Sequence, residues 1–339
     1  MLIAYISGLC DDLIVFYKDK WGWQQLLKYS LKRLVKSMVT LFIVISVVFL
    51  FMRLMPEEGY FGQGYEKLDL VQREAILTNL GLRDPWFVQL GHFYKDLFHG
   101  DLGTSITYRP KVAVAEIIES KIFYSLYFGL AALVIALIAG ISMGILMARS
   151  KNKFWDKLGN GYIVFISAVP AAVYYLFLQL YVTDIFNLPI LFNKSNPVSF
   201  ILPALSMALG PTAGYAMWMR RYMVDELNKD YIKLARAKGL SNKVIMRKHV
   251  LRNAFVPMAQ YLPASILYTL VGSIYIESLY SIPGTGGLLV DTIQRQDNPI
   301  VQALVLIYAS VGIISLFLGD MLMASFDPRI NLDKQGGIR

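Results

Sequence analysis

Long stretches of this chain carry no charged residue at all. Runs free of Asp, Glu, Lys and Arg cover residues 122–148, 158–183, 195–219, 253–276 and 298–319. A bilayer core of roughly 30 Å is crossed by about 20 such residues in helical form. A shorter run, 37–52, lies between Lys36 and Arg53, whose long side chains reach the headgroups from the two ends of a span. Inside hydrocarbon every backbone N–H and C=O must be bonded within the protein, which leaves helices or a closed barrel. Barrel strands alternate over about ten residues, and these unbroken runs do not. The expected fold class is therefore all-α, a polytopic membrane protein with six transmembrane helices. A hydrophobic content of 56% over 339 residues excludes an ordinary soluble globule.

A net charge of +9 would suggest nucleic acid as a partner of a soluble protein. Here the placement of the charge matters more than its sum, and no nucleic acid is expected. Six Lys or Arg precede the first span, four lie in 149–157, ten in 220–252 and three after the last span, whereas Lys194 and Arg295 stand alone in the short loops between. The positive-inside rule then puts both termini and the 220–257 segment in the cytoplasm. The 56–121 segment falls outside, where its acids outnumber its bases. Cys10 is the only cysteine, so no intramolecular disulfide forms. Residues 1–34 read as a cytoplasmic or interfacial segment, with Trp21, Trp23 and Tyr29 suited to a helix lying at the membrane surface. The first span serves as the insertion signal, because no cleavable leader pattern precedes it.

Within the external 56–121 segment, 68–80 has a helical apolar face and Gly81 as its stop. Pro85 opens a second helix with a stripe of Phe87, Leu90, Phe93, Tyr94 and Leu97, closed by Gly100. That stripe suits either a docked partner or the lipid surface. Pro170 predicts a kink in the third span, and Pro203, Gly210, Pro211 and Gly214 predict close packing or a bend in the fourth. In the 220–257 segment, 225–238 reads as a helix with Tyr231, Leu234 and Ala235 on one face, stopped by Gly239. Ser241 caps a second helix over 242–253. Ala235 and Ala237 are small enough to let a partner approach the backbone closely.

These residues carry a resemblance. The string YIKLARAKGL at 231–240, followed by NAFVP at 253–257, resembles the cytoplasmic loop of binding-protein-dependent ABC importer permeases. LGLRDPW at 80–86, GDLGTS at 100–105, ESLYSIPGTG at 277–286 and DPRI at 327–330 are similar to the dipeptide/oligopeptide branch of that family. The resemblance covers about residues 28–330, the permease domain being 35–330 with 331–339 as a cytoplasmic tail. It implies the type I ABC importer permease fold and a place in the bacterial plasma (inner) membrane. The implied partners are a second, related permease subunit, two cytoplasmic ATP-binding subunits and an extracytoplasmic substrate-binding protein, with lipid around the spans. Matched onto this chain, the ATPase-coupling residues are Leu234, Ala235, Arg236, Ala237, Lys238 and Gly239. Glu277, Pro283, Gly284 and Gly286 form a loop near the outer gate, in which Glu277 is expected to hold residues 282–287.

The chain has no G-x-x-x-x-G-K-[ST] phosphate loop, so ATP hydrolysis is assigned to partner subunits. His92 and His99 fall in the external segment and His249 in the cytoplasmic one, on opposite faces of the membrane, and neither H-E-x-x-H nor G-x-S-x-G occurs. No catalytic residue, metal ligand or cofactor is expected. An ion-coupled secondary transporter would place acids inside spans. Glu277 and Asp320 are the candidates, and both sit at span ends, where an acid stabilising a turn or a neighbouring helix is the plainer account. Short peptides are the expected substrate, with nickel or another small solute as the alternative.

Overall fold

The computed structural model describes residues 23–326 except 55, 62–65, 260 and 272. Cys10, Trp21 and the DPRI string lie outside the described residues, as does the 331–339 tail. Among the described residues there is no β-strand, only an isolated bridge between Thr104 and Ala113.

The first described helix is α1 (Trp23–Met52), so residues 23–34 are continuous with the leading span, whose apolar part begins at Ser30. Two shorter helices follow, α2 (Leu70–Asn79) and α3 (Trp86–Phe98). Next come α4 (Val114–Arg149), α5 (Phe154–Ala168) and α6 (Ala171–Phe177), which continues through a π turn, Leu178–Val182, into Thr183–Phe186. The second half holds α7 (Ile201–Leu227), α8 (Asp230–Ala237), α9 (Leu251–Ala259) and α10 (Tyr261–Val271). It closes with α11 (Ile274–Leu279), α12 (Thr285–Gln294) and α13 (Asn298–Phe326).

The all-α polytopic class stands. Ser30–Met52, Val114–Arg149, Pro197–Leu227 and Asn298–Met321 are each long and apolar enough to span a bilayer. The third expected span is two helices meeting at 108°, Phe154–Ala168 and Ala171–Phe186. Pro170 stands at that break as the N-cap of α6, so it ends one helix and starts the next where a mild kink was expected. The fifth expected span, 253–276, falls within α9 and α10 and runs into the first turn of α11, for which Ser273 is the N-cap. Pro257 lies inside α9 and removes one ladder donor there.

The spine of the bundle is α4 against α7. A Cβ on Gly140 would lie 2.7 Å from the carbonyl oxygen of Thr212, and one on Gly144 would lie 2.7 Å from that of Ala216. Small residues here let two backbones touch, as in small-xxx-small membrane contacts. The glycines responsible are on α4. A Cβ on Gly210 or Gly214 of α7 would meet nothing within 4 Å, so the packing role expected of these two falls to α4 and to buried alanines such as Ala208 and Ala216. Arg33 of α1 is ion-paired with Asp320 of α13, which makes Asp320 an inter-helix tie.

The 57–113 segment is bound tightly to one end of the bundle. Asp69 caps α2 in a reciprocal box with Gln72, and Gly81 and Gly100 end α2 and α3 at φ +69° and +74°. The α3 stripe packs on α1: Phe93 against Phe49 at 4.8 Å, Tyr94 stacked on Phe42 at 4.9 Å, with the Tyr94 hydroxyl 2.8 Å from Ser46 Oγ. Two of the five stripe residues, Phe93 and Tyr94, thus have partners within the chain, while Phe87, like its neighbour Trp86, stays exposed. Farther on, Oδ2 of the buried Asp297 accepts from Ser105 Oγ at 2.6 Å. The same oxygen accepts from the amides of Ile106, Thr107 and Tyr108 at 3.1, 2.9 and 2.8 Å.

Candidate functional site

At the opposite end of the bundle stands the segment whose sequence resembles a coupling loop. Its first part is not loop. α7 runs on through Arg220 to Leu227, so the helix expected over 225–238 is divided, and α8 begins only at Asp230 after an extended Lys229. Packing sets the inward face of α8. Ile232 and Ala235, three apart, are buried among Met219, Met223, Ile245 and Val250. Ala235 is 7% exposed and closes the molecule's own core, whereas Leu234 is 56% exposed. The outward side therefore offers Leu234, Arg236, Ala237, Lys238 and Gly239, together with Leu240.

Gly239 takes φ +76°, and its amide returns to the carbonyl of Arg236 at 2.9 Å. A left-handed residue at this point reverses the chain at no steric cost only if it is glycine. Beyond it, Ser241 is the N-cap by position, without a side-chain bond. The helix that follows runs through a π segment, Ile245–Val250, into α9.

Three residues to which the sequence reading gave no role of their own brace α8. The Tyr231 hydroxyl donates to Oε1 of Glu226, and Asn253 Nδ2 donates to the Tyr231 oxygen at 2.7 Å and to Glu226 at 3.2 Å. This ties α8 at once to the end of α7 and the start of α9. Burial and the Glu226 carboxylate push the Tyr231 phenol up to about 12, so it remains a neutral donor at physiological pH. Close by, Arg220 forms a two-pronged pair with Asp156 at 2.5 and 2.8 Å. Asp156 also accepts the amide of Asn152 at 2.8 Å. The α4–α5 turn is thereby locked to the α7 helix that leads into α8.

The second group lies at the end of the bundle that carries α3. Glu277 is fully buried on α11. Its Oε1 accepts from Ser125 Oγ of α4 at 2.7 Å and from the Ser273 amide at 3.3 Å. Its Oε2 accepts from the amides of Gly286 and Gly287 in the first turn of α12, at 2.8 and 3.2 Å. Ser125 Oγ in turn accepts from the Thr285 amide at 2.8 Å. The carboxylate is thus the missing acceptor for a helix N-terminus. Space explains two of the glycines. A Cβ on Gly284 would sit 2.2 Å from Glu277 Oε2, and one on Gly286 would sit 2.8 Å from Ile274 Cα. Pro283 is half-buried in the turn between these helices.

This turn also collects other parts of the chain. The buried Gln179, within the π turn after α6, donates to the carbonyls of Leu279 and Ile190 at 2.8 and 3.1 Å. The Phe192 amide donates to the Tyr280 carbonyl at 2.8 Å, and the Tyr280 hydroxyl lies 3.1 Å from Ser206 Oγ on α7. Glu277, Gly284 and Gly286 are in direct contact, and the expected coupling residues lie at the far end of the spans from them. Gln179 gave no sequence signal beyond being an amide inside an apolar run.

Comparison with known proteins adds to this geometry. Residues 140–332 match the family described as binding-protein-dependent transport system inner membrane component. The dipeptide transport system permease protein DppB of Lactococcus lactis subsp. cremoris is 33% identical over 311 residues, covering 91% of this chain and all of that protein. The glutathione transport system permease protein GsiC of Pectobacterium atrosepticum is 33% identical over 306 residues, covering 90% and 99%. DppB of Bacillus subtilis is 32% identical over 314 residues, covering 91% and 99%. With relatives aligned over nearly their whole length and the glycine-stopped α8 projecting from the bundle, the chain belongs to the binding-protein-dependent transport system inner membrane component family.

Proposed function

We propose that this chain is the membrane permease subunit of an ATP-driven importer of short peptides, one half of a translocation pathway completed by a second permease. α8 faces the cytoplasm, together with both chain termini, and Leu234 to Gly239 seat in a groove on one of two ATP-hydrolysing subunits. An extracytoplasmic binding protein delivers substrate at the end that carries α3. The observation that carries this reading is the full-length similarity to permeases named for dipeptide and glutathione transport. The exposed end of α8 supports the coupling part. It is short, braced by Tyr231, Glu226 and Asn253, and stopped by a left-handed glycine. A push on so short a braced helix passes directly to α7 and α9. Glu277, Pro283, Gly284 and Gly286 then shape the closed outer end of the pathway, holding the α11–α12 turn against α4.

The test is a detergent pull-down of the chain from its own membranes, followed by uptake assays in reconstituted vesicles. ATP-binding subunits that co-purify, with uptake of labelled di- and oligopeptides that needs ATP and survives a protonophore, meet the proposal. Uptake that follows an ion gradient, or transport of nickel in place of peptide, overturns it.

A further inference from the structure

A cavity of about 610 Å³ opens beside α8, between the ends of α4 and α7 and the 242–251 segment. Its floor is apolar, built from side chains such as Ile145, Met223, Ile245 and Leu251. Its rim carries four cations, Arg149, Arg236, Lys243 and Arg247, and no acidic residue lines it. None of the four forms an ion pair among the described residues, although ion pairs are made nearby by Arg220 and Lys233. Arg149 lies in the last turn of α4 and meets the negative end of that helix dipole. The pull on an anion therefore comes chiefly from Arg236, Lys243 and Arg247.

The cavity lies against the last turns of Val114–Arg149 and Pro197–Leu227, two helices long and apolar enough to cross a membrane. We infer that it holds one anionic phospholipid, its phosphate between Lys243 and Arg247 and the upper part of its acyl chains on the apolar floor. Two features select this ligand. A free phosphate compound would leave the apolar floor without a partner, and a zwitterionic lipid would leave the rim cations without a net counter-charge. Basic pockets between spans at a membrane surface take anionic headgroups for this reason. An acidic protein surface would match the rim alone.

The experiment uses the full chain, with its co-purifying subunits, in nanodiscs of phosphatidylcholine. Dioctanoyl phosphatidylglycerol, dioctanoyl phosphatidylcholine, glycerol phosphate and inorganic phosphate are titrated in separate arms, and retained ligand is counted by native mass spectrometry. The expected result is saturable binding of one phosphatidylglycerol, at least tenfold tighter than phosphatidylcholine, and weakened at least tenfold in Lys243→Gln/Arg247→Gln. Equal binding of glycerol phosphate or inorganic phosphate overturns the lipid assignment. So does phosphatidylglycerol binding that the double variant leaves unchanged. If the double variant does not insert, Met246→Trp fills the cavity and keeps every charge. Loss of the bound lipid then supports the site, and its retention overturns it. Neither readout involves transport, so the peptide-import proposal stands or falls separately.

Discussion

Oε2 of Glu277 lies 2.8 Å from the amide nitrogen of Gly286, so a carboxylate on one short helix caps the first turn of the next. The other carboxylate oxygen reaches α4 through Ser125, which makes Glu277 the joint of three helices. All of its bonds are acceptor bonds. Glu277→Gln turns an NH2 toward a donor on one side or the other, and that mismatch costs about 1–3 kcal/mol in a buried site. The expected outcome is a lower unfolding temperature in detergent and reduced peptide uptake. Wild-type values for both would remove Glu277 from the structural and the transport argument together.

Gly284 tests the same joint by volume. An added methyl at 2.2 Å from Glu277 Oε2 and 2.6 Å from Ser125 Oγ has no room. Gly284→Ala is expected to destabilise by about 1–3 kcal/mol, the usual cost of overpacking. Gly312→Ala, where a Cβ meets nothing within 4 Å, is expected to be neutral or slightly stabilising. Thermal unfolding of the two purified variants side by side separates packing from any general effect of losing a glycine.

Gly239→Val tests coupling. A Cβ here meets open space, so the cost is purely conformational, about 1–2 kcal/mol at φ +76° and more for a branched residue. Membrane insertion is expected to persist while receptor-stimulated ATP hydrolysis and uptake fall several-fold. Gly100→Val supplies the control: φ is +74° and the space is equally open, but the site is at the other end of the bundle. The control is expected to leave ATP hydrolysis in place. Equal behaviour of the two variants would reject a coupling role for Gly239.

The Asp156–Arg220 pair joins a nearly inaccessible carboxylate to a guanidinium that is three-quarters buried. Removing one partner strands the other, at about 3–5 kcal/mol for a buried pair. Asp156→Ala and Arg220→Leu are each expected to lower thermal stability strongly, and the double variant to recover part of the loss. Strictly additive losses would mean that the two residues act independently.

The long apolar runs made the helical membrane class legible, because hydrocarbon tolerates few backbone solutions. Boundaries were less legible where charge and helix end disagree. Arg220 to Glu226 read as the start of a surface segment, yet α7 carries them to Leu227, about two turns past the last residue of the charge-free run, before the chain extends at Lys229. The inward face of α8 was not legible for a related reason. Tyr231, Leu234 and Ala235 satisfy helical spacing, but so do Ile232 and Ala235, and only the packing of Met219, Met223 and Ile245 decides between them. The α11–α12 turn was found through its motif, whereas its dependence on Ser125 spans a separation of 152 residues that periodicity does not encode. The bend at Pro170 was legible as a place but not as a magnitude. A proline states that a donor is missing and leaves open whether the helix yields by a few degrees or stops.

The single oxygen of Asp297 that gathers Ser105 Oγ and three successive amides has a practical side. It welds the returning limb of the long 57–113 segment to the residue just before α13, so residues 101–108 keep a fixed length and path. An epitope or fluorophore meant to report on that face of the transporter belongs outside these residues, for instance at the exposed Leu80 that ends α2. Placed between 101 and 108, the same addition would pull four donors off one buried carboxylate.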